Sequence, residues 1–357
     1  MTFLVTASAA QARPLRVFHG AVRCSTQANG IRFCGSLVVG GQPVPVRTLA
    51  RSWDGTAIDV NFALPKASRR HHGPYPLVML FHGYGGSKLG LGSGGAGIGA
   101  AVDSMTPWLK AGYATFSMSD RGFGQSCGTA SSRASVPARE CKHGFNHLLD
   151  DRYEVRDAQW FAGELADQGL VSPTRIAAIG GSYGGGMSMA LAALRNRLML
   201  PSGRLVPWRS PDGKRMSIAA ATPFVPWTDL AYSLVPNGST LDYVANAPYR
   251  GRIGVMKQID VNSLYAVGCG TPTTFCTTHG SSWNLGLWDS LLNRGEPYSG
   301  QVAHLLGQVQ RYHSSYYIDH SIAPAPLLIA NGWTDDLFPV DEALRFYNRT
   351  TTQYPHN

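Results

Sequence analysis

Apolar and polar positions alternate along this chain with two periods, and the two take turns. Residues 47–64 (RTLARSWDGTAIDVNFAL) carry two alternating stretches around Asp54-Gly55. That pattern predicts a β-hairpin. Pro74 and Pro76 then precede LVMLFHG (77–83), a continuous apolar run of strand length. Such a run suits a strand buried on both faces. A Gly-rich loop and a helical stretch (96–110) follow, then the strand-like ATFSMSD (114–120). Residues 151–168 predict an amphipathic helix with Val155, Trp160 and Leu165 on its apolar side. RIAAIG (175–180) reads as a short buried strand and YGGGMSMALAALRNRL (183–198) as a helix opened by glycines. MSIAAATPF (216–224) and PLLIANG (326–332) read as further strands, with a helix around 340–348. Strand and helix alternate, so the fold class is α/β, a mostly parallel sheet with helices on both faces. Residues 229–321 break the rhythm and are rich in Tyr, Asn, Gly and Trp. They predict an insertion over the C-terminal edge of the sheet, where such folds bind ligands.

Composition narrows the class. At 357 residues, 44% hydrophobic and 10% aromatic, the chain can fill a sizeable core and is not a disordered polymer. Only 15% of residues are charged, while Gly (41) and Pro (22) are plentiful, which argues against coiled coils and helical bundles. No uncharged apolar run reaches the roughly 18 residues of a membrane span. The net charge of +9 is diffuse. It reads as a property of a secreted globular protein, and nucleic acid is not expected as a partner. Its densest patch, Arg195, Arg197, Arg204, Arg209, Lys214 and Arg215, reads as a solvated loop. Residues 1–12 resemble the remnant of a secretory signal, an apolar run ending in the A-x-A pattern Ala10-Gln11-Ala12. Six cysteines fall in three local couples, Cys24/Cys34, Cys127/Cys141 and Cys269/Cys276. They allow 15 pairings; local closure in an oxidising compartment is the simplest. No CxxC or HExxH spacing points to a metal, and no cofactor is expected.

The pattern G-x-S-x-G occurs twice, around Ser182 and around Ser126. Only Ser182 has a strand directly before it and a helix after it, the context that lifts a serine hydroxyl above a sheet on a sharp turn. Ser182 is therefore the candidate nucleophile. A serine nucleophile needs donors for the oxyanion that develops. One is the N–H of Tyr183; the other comes from the loop His82-Gly83-Tyr84-Gly85-Gly86, where Tyr84 offers its N–H or its phenol. His82 reads as a structural histidine. A G-x-G-x-x-G match at Gly90 to Gly95, with Asp120 ending the next strand, starts seven residues after His82, too far from the strand end for a dinucleotide site. Past the last strand stand Asp335 and Asp336. A carboxylate there can orient a catalytic histidine. Asp335 is the first choice, and Asp336 the alternative, or else a helix cap. Only His356 follows, and it reads as a tail residue. The catalytic histidine is expected beyond Asn357.

Together SWDGTAIDVNFALP, LFHGYGG, SDRGFGQS, GGSYGGG and ANGWTDDLFP, spread over residues 52–339, resemble the X-Pro dipeptidyl-peptidase and cocaine-esterase family of α/β-hydrolases. The resemblance implies an α/β-hydrolase fold with Ser182 as nucleophile, Asp335 as acid and an oxyanion hole at Tyr84 and Tyr183. It implies a core of residues 13–228 and 322–357 with a helical cap at 229–321. Members carry a jelly-roll domain after the core, and the sequence shows none. The implied activity is a secreted serine hydrolase acting on a small ester or an X-Pro amide. An X-Pro peptidase needs a carboxylate for the substrate's free amine, with Asp229 and Asp242 as candidates. The alternative is a non-catalytic hydrolase-fold binding protein. Oligomeric state is left open.

Overall fold

The computed structural model describes residues 15–36, 48–68, 72–92, 102–236, 254–280, 282–295 and 298–355. The proposed signal remnant, Asp242, His356 and part of the Gly90 to Gly95 match lie outside them. The strands are β1 (Arg16–Val17), β2 (Val22–Thr26), β3 (Arg32–Cys34), β4 (Leu49–Arg51), β5 (Ala57–Leu64), β6 (Tyr75–Phe81), β7 (Ala114–Met118), β8 (Val171–Gly181), β9 (Arg197–Met199), β10 (Leu205–Pro207) and β11 (Ile218–Phe224). One sheet runs in the order β1-β2-β3-β5-β7-β6-β8-β11, with β4 paired to β5. Its first half is an antiparallel meander, closed by β5 against β7. In its second half β7, β6, β8 and β11 are parallel. The predicted hairpin is β4–β5, with Gly55 at φ 84° in its turn. That positive φ is cheap only for a residue without Cβ.

Helices α1 (Thr106–Lys110), α2 (Glu154–Asp167) and α3 (Tyr183–Leu194) connect the parallel strands. Strand β6 shows why both faces are covered. Its Leu77 and Met79 pack in the cluster that holds Val155, Phe161 and Leu165 of α2, while Val78 and Leu80 pack with Met105 and Leu109 beside α1. Alternate residues point to opposite faces, so a strand apolar at every position needs a layer on each side.

Helices α4 (Leu230–Leu234), α5 (Gln258–Cys269), α6 (Leu285–Leu292) and α7 (Gly300–Tyr312) occupy the irregular segment, and α8 (Asp341–Gln353) comes last. The three local cysteine couples are all disulfides: Cys24–Cys34, Cys127–Cys141 and Cys269–Cys276.

Three expectations change. The helix after Ser182 stops at Leu194 rather than reaching 198, because Arg195 turns to φ 55° and the chain enters β9. The basic patch is not simply a solvated loop. β9 and β10 form a ribbon, and Arg197 is buried, donating to the carbonyls of Ala193 and Leu194 at the end of α3. Such a cation satisfies orphan carbonyls at a helix C-terminus. PLLIANG, expected as a strand, forms only isolated bridges. It meets β11 only at the parallel bridges Ala221 with Leu327 and Phe224 with Ala330, and Leu328 is 69% exposed. Pro326 can donate no ladder hydrogen bond, and the run lies at the sheet edge.

Candidate active site

Ser182 sits between the end of β8 and the start of α3 at φ 56° and ψ −116°. This is the strained region a side chain adopts only when its surroundings enforce it. The neighbouring glycines show the enforcement. A Cβ on Gly180 would lie 2.6 Å from Gly184, and one on Gly184 would strike the carbonyl oxygen of Phe81 at the end of β6. A Cβ on Gly185 would lie 2.5 Å from the carbonyl oxygen of Phe224, and one on Gly186 2.7 Å from the Trp227 ring. Helix α3 thus abuts β6, β11 and Trp227 with no room for side chains. The Ser182 amide donates to the carbonyl of Phe224 (3.0 Å), which fastens the turn to β11.

Ser182, Tyr183 and Tyr84 line one cleft. Among the described residues the Tyr183 amide, at the first position of α3, has no backbone acceptor, and neither has the Tyr84 amide. An unpaired N–H at a helix start is a ready partner for negative charge. The phenols are occupied elsewhere. Tyr183 donates its hydroxyl to Glu154 Oε2 (2.8 Å), and the Tyr84 oxygen accepts from Asn146 Nδ2 (2.7 Å). Burial pushes both phenols above their usual range. The rings of Tyr84, Phe123 and Tyr183 stand 5.2–5.8 Å apart, and those of Tyr84 and Tyr183 give the cleft an aromatic floor.

Beneath that floor lies a layer of buried polar groups the sequence did not single out. Glu154 accepts from Tyr183 and from the amides of His147 and Asp150, and desolvation raises its carboxyl to about 8. Asp120 is buried with its carboxyl raised by desolvation and then by Glu154 and Asp157. His82 accepts from the Asp120 amide at Nε2 (3.1 Å) and bonds the Gly83 carbonyl through Nδ1 (2.7 Å). Nδ1 therefore carries the proton, and burial lowers the ring to about 4. This matches the structural role expected of it.

The second G-x-S-x-G is structural. Ser126 is fully buried, donates to the Ser119 carbonyl (2.7 Å) and accepts from the Asp59 amide (2.8 Å). The preceding Arg121 binds Asp157 through Nε and Nη2 (2.6 and 2.7 Å) and Asp54 through Nη1 and Nη2 (2.7 and 3.0 Å). It also faces the rings of Trp53 and Tyr153.

Asp335 lies on the turn before α8 and accepts from the amides of Leu337 (3.1 Å) and Phe338 (2.8 Å). Phe338 lines the cleft; Asp335 does not. Asp336 is exposed and does not cap the helix, which begins at Asp341 with Val340 before it. Among the described residues no histidine lines the cleft. Asp229, one of the two proposed amine anchors, is buried, caps α4 through the Tyr232 amide and faces Gln310, so it does not reach the cleft. Asp289 of α6 does line it. Sequence periodicity carried no signal for this, because residues 285–292 (LGLWDSLL) read equally as a core helix.

Residues 48–210 match the family model for acetyl xylan esterase (AXE1). Solved structures similar to the chain include an acetyl xylan esterase from Paenibacillus sp., 18% identical, covering 92% of this chain and 77% of that one at a TM-score of 0.47. Another is acetyl xylan esterase 1 from Thermoanaerobacterium sp., 15% identical, covering 96% and 76% at 0.44. A third is prolyl oligopeptidase B from Galerina marginata, 15% identical, covering 87% and 31% at 0.46. The sheet order, the parallel half and the tight strand–serine–helix turn between β8 and α3 are those of an α/β-hydrolase fold.

Proposed function

We propose that the protein is a secreted serine hydrolase of the esterase type, with Ser182 as its nucleophile. The observation that carries this is the enforced left-handed backbone of Ser182, which turns its side chain to a cleft beside two amides without backbone acceptors. In this reading Ser182 Oγ adds to the ester carbonyl carbon. The N–H groups of Tyr183 and Tyr84 receive the developing oxyanion, and the alkoxide leaves as the alcohol. Water then attacks the acyl-serine, releasing the acid and restoring the hydroxyl. A histidine takes the serine proton and hands it to the leaving alcohol, and Asp335 orients that histidine. The acetyl xylan esterase match over residues 48–210 supports ester chemistry. Three disulfides support an oxidising, extracellular setting.

The X-Pro peptidase reading has one observation in its favour. Asp289 places a carboxyl on the cleft wall, where it could hold a substrate amine. The alternative reading is a non-catalytic binding protein on a hydrolase fold.

Fluorophosphonate labelling and turnover of p-nitrophenyl butyrate and Gly-Pro-p-nitroanilide separate the three. The ester reading expects labelling and butyrate turnover, with Ser182→Ala lowering turnover by about a thousandfold or more. The peptidase reading expects anilide turnover that Asp289→Asn suppresses. A protein that takes no label and turns over neither substrate is a binder.

A further inference from the structure

We propose that the cleft beside Ser182 is built for an extended apolar acyl group of about six to ten carbons rather than for acetyl. This substrate class rests on Ser182 being the nucleophile. The irregular segment between β11 and Leu327 supplies most of the walls: Leu230 and Leu234 of α4, Val261 and Leu264 of α5, Leu285 and Leu292 of α6. Trp227 and Phe338, 5.1 Å apart, close the side next to the serine. Apart from Ser182 and the tyrosines, Asp289 is the one polar side chain on the lining among the described residues.

About 90 Å³ of the cleft admits water-sized groups, room for a run of methylenes and more than an acetyl methyl fills. An acetyl group has one methyl to bury and would leave these walls wet. A sugar entering the cleft would lose water from its hydroxyls and find only Asp289 as a charged partner, which costs free energy for each unpaired group. An alkyl or aryl acyl chain gains about three- to fourfold in affinity for each methylene taken out of water. The acyl part also stays attached through both half-reactions, so walls contiguous with Ser182 act on it in each.

The test is a chain-length series of p-nitrophenyl esters from acetate to dodecanoate on the full chain, with decanoate and acetate titrated against intrinsic tryptophan fluorescence, to which Trp227 and Trp288 on the cleft contribute. We expect kcat/KM to peak between hexanoate and decanoate, at least tenfold above acetate. Leu264→Trp, which fills the cleft from a half-exposed helix position, is expected to cut the octanoate-to-acetate ratio about tenfold. Ser182-dependent turnover that is fastest on acetate, or that grows with the alcohol instead of the acyl chain, overturns the inference and leaves the hydrolase reading standing. With no Ser182-dependent turnover the hydrolase reading fails, and the titration decides. Saturable quenching by decanoate alone keeps the apolar ligand class, and equal or absent responses overturn it.

Discussion

Arg121 shows how much of a site's precision is decided one side chain at a time. Fully buried, it makes two-pronged contacts to both Asp157 and Asp54, and Ser52 adds its hydroxyl to Asp157. Its guanidinium is held above its usual range, the attraction of Asp157 and Asp54 outweighing the opposing effect of burial. A buried ion pair is not in itself a large source of stability, but a half-broken one is expensive, since the remaining charge has no water. Arg121→Met strands two acids and is expected to cost about 3–5 kcal/mol in denaturant unfolding. Adding Asp157→Leu to that variant is expected to recover part of the loss. A single variant as stable as the parent would show that water reaches Asp157. The same network holds the segment carrying Ser126, which explains how a second nucleophile-like motif can be pure scaffold.

Among the elements, the turn from β8 into α3 is where packing and chemistry meet. Gly185 and Gly181 are both glycines near Ser182, yet they face different surroundings. A Cβ at Gly185 meets the Phe224 carbonyl oxygen at 2.5 Å, whereas one at Gly181 finds its nearest atom at 4.0 Å. Gly185→Ala is expected to push α3 off β11, costing about 1–3 kcal/mol by overpacking and lowering turnover with it. Gly181→Ala is expected to stay within about 0.5 kcal/mol of the parent, as a substitution without a clash does. Thermal or denaturant melts of the two variants decide this; equal losses would contradict the packing described for α3.

On the scale of the whole molecule, stability depends on keeping buried groups neutral. His82 is lowered to about 4, and His147 and His320 to about 3, mainly by desolvation. An unfolded histidine takes its proton near 6.5, so below that pH the unfolded chain binds protons that the folded chain refuses. The contribution of these histidines is then whole above pH 6.5 and falls as pH drops toward 4, with His82 alone accounting for about 3 kcal/mol. Glu154 works in the opposite sense. Its carboxyl is raised to about 8, so its contribution is whole below the ordinary carboxylate pKa and is lost as pH rises through 8. The guanidinium midpoint of unfolding is expected to fall between pH 6.5 and 4. A midpoint flat across that window would mean these rings are solvated.

Local order was written in the residues themselves. The hairpin at Asp54-Gly55, the apolar run of β6, the glycines around Ser182 and the three short cysteine loops all depend on neighbours within about a dozen positions. Turn chemistry, periodicity and loop closure report such neighbours directly. The end of the helix at Leu194 and the loose pairing of PLLIANG differ from the pattern because Arg195 turns as the chain enters β9 and the run after Pro326 lies at the sheet edge. Only the tertiary structure decided that the phenols of Tyr84 and Tyr183 are engaged by Asn146 and Glu154, that Asp229 is buried and that Asp289 lines the wall. These partners lie up to 62 residues apart in the chain. A charged side chain looks the same in sequence whether solvent or a buried tyrosine awaits it; burial, which sets its cost and its proton affinity, exists only once the distant segments have met.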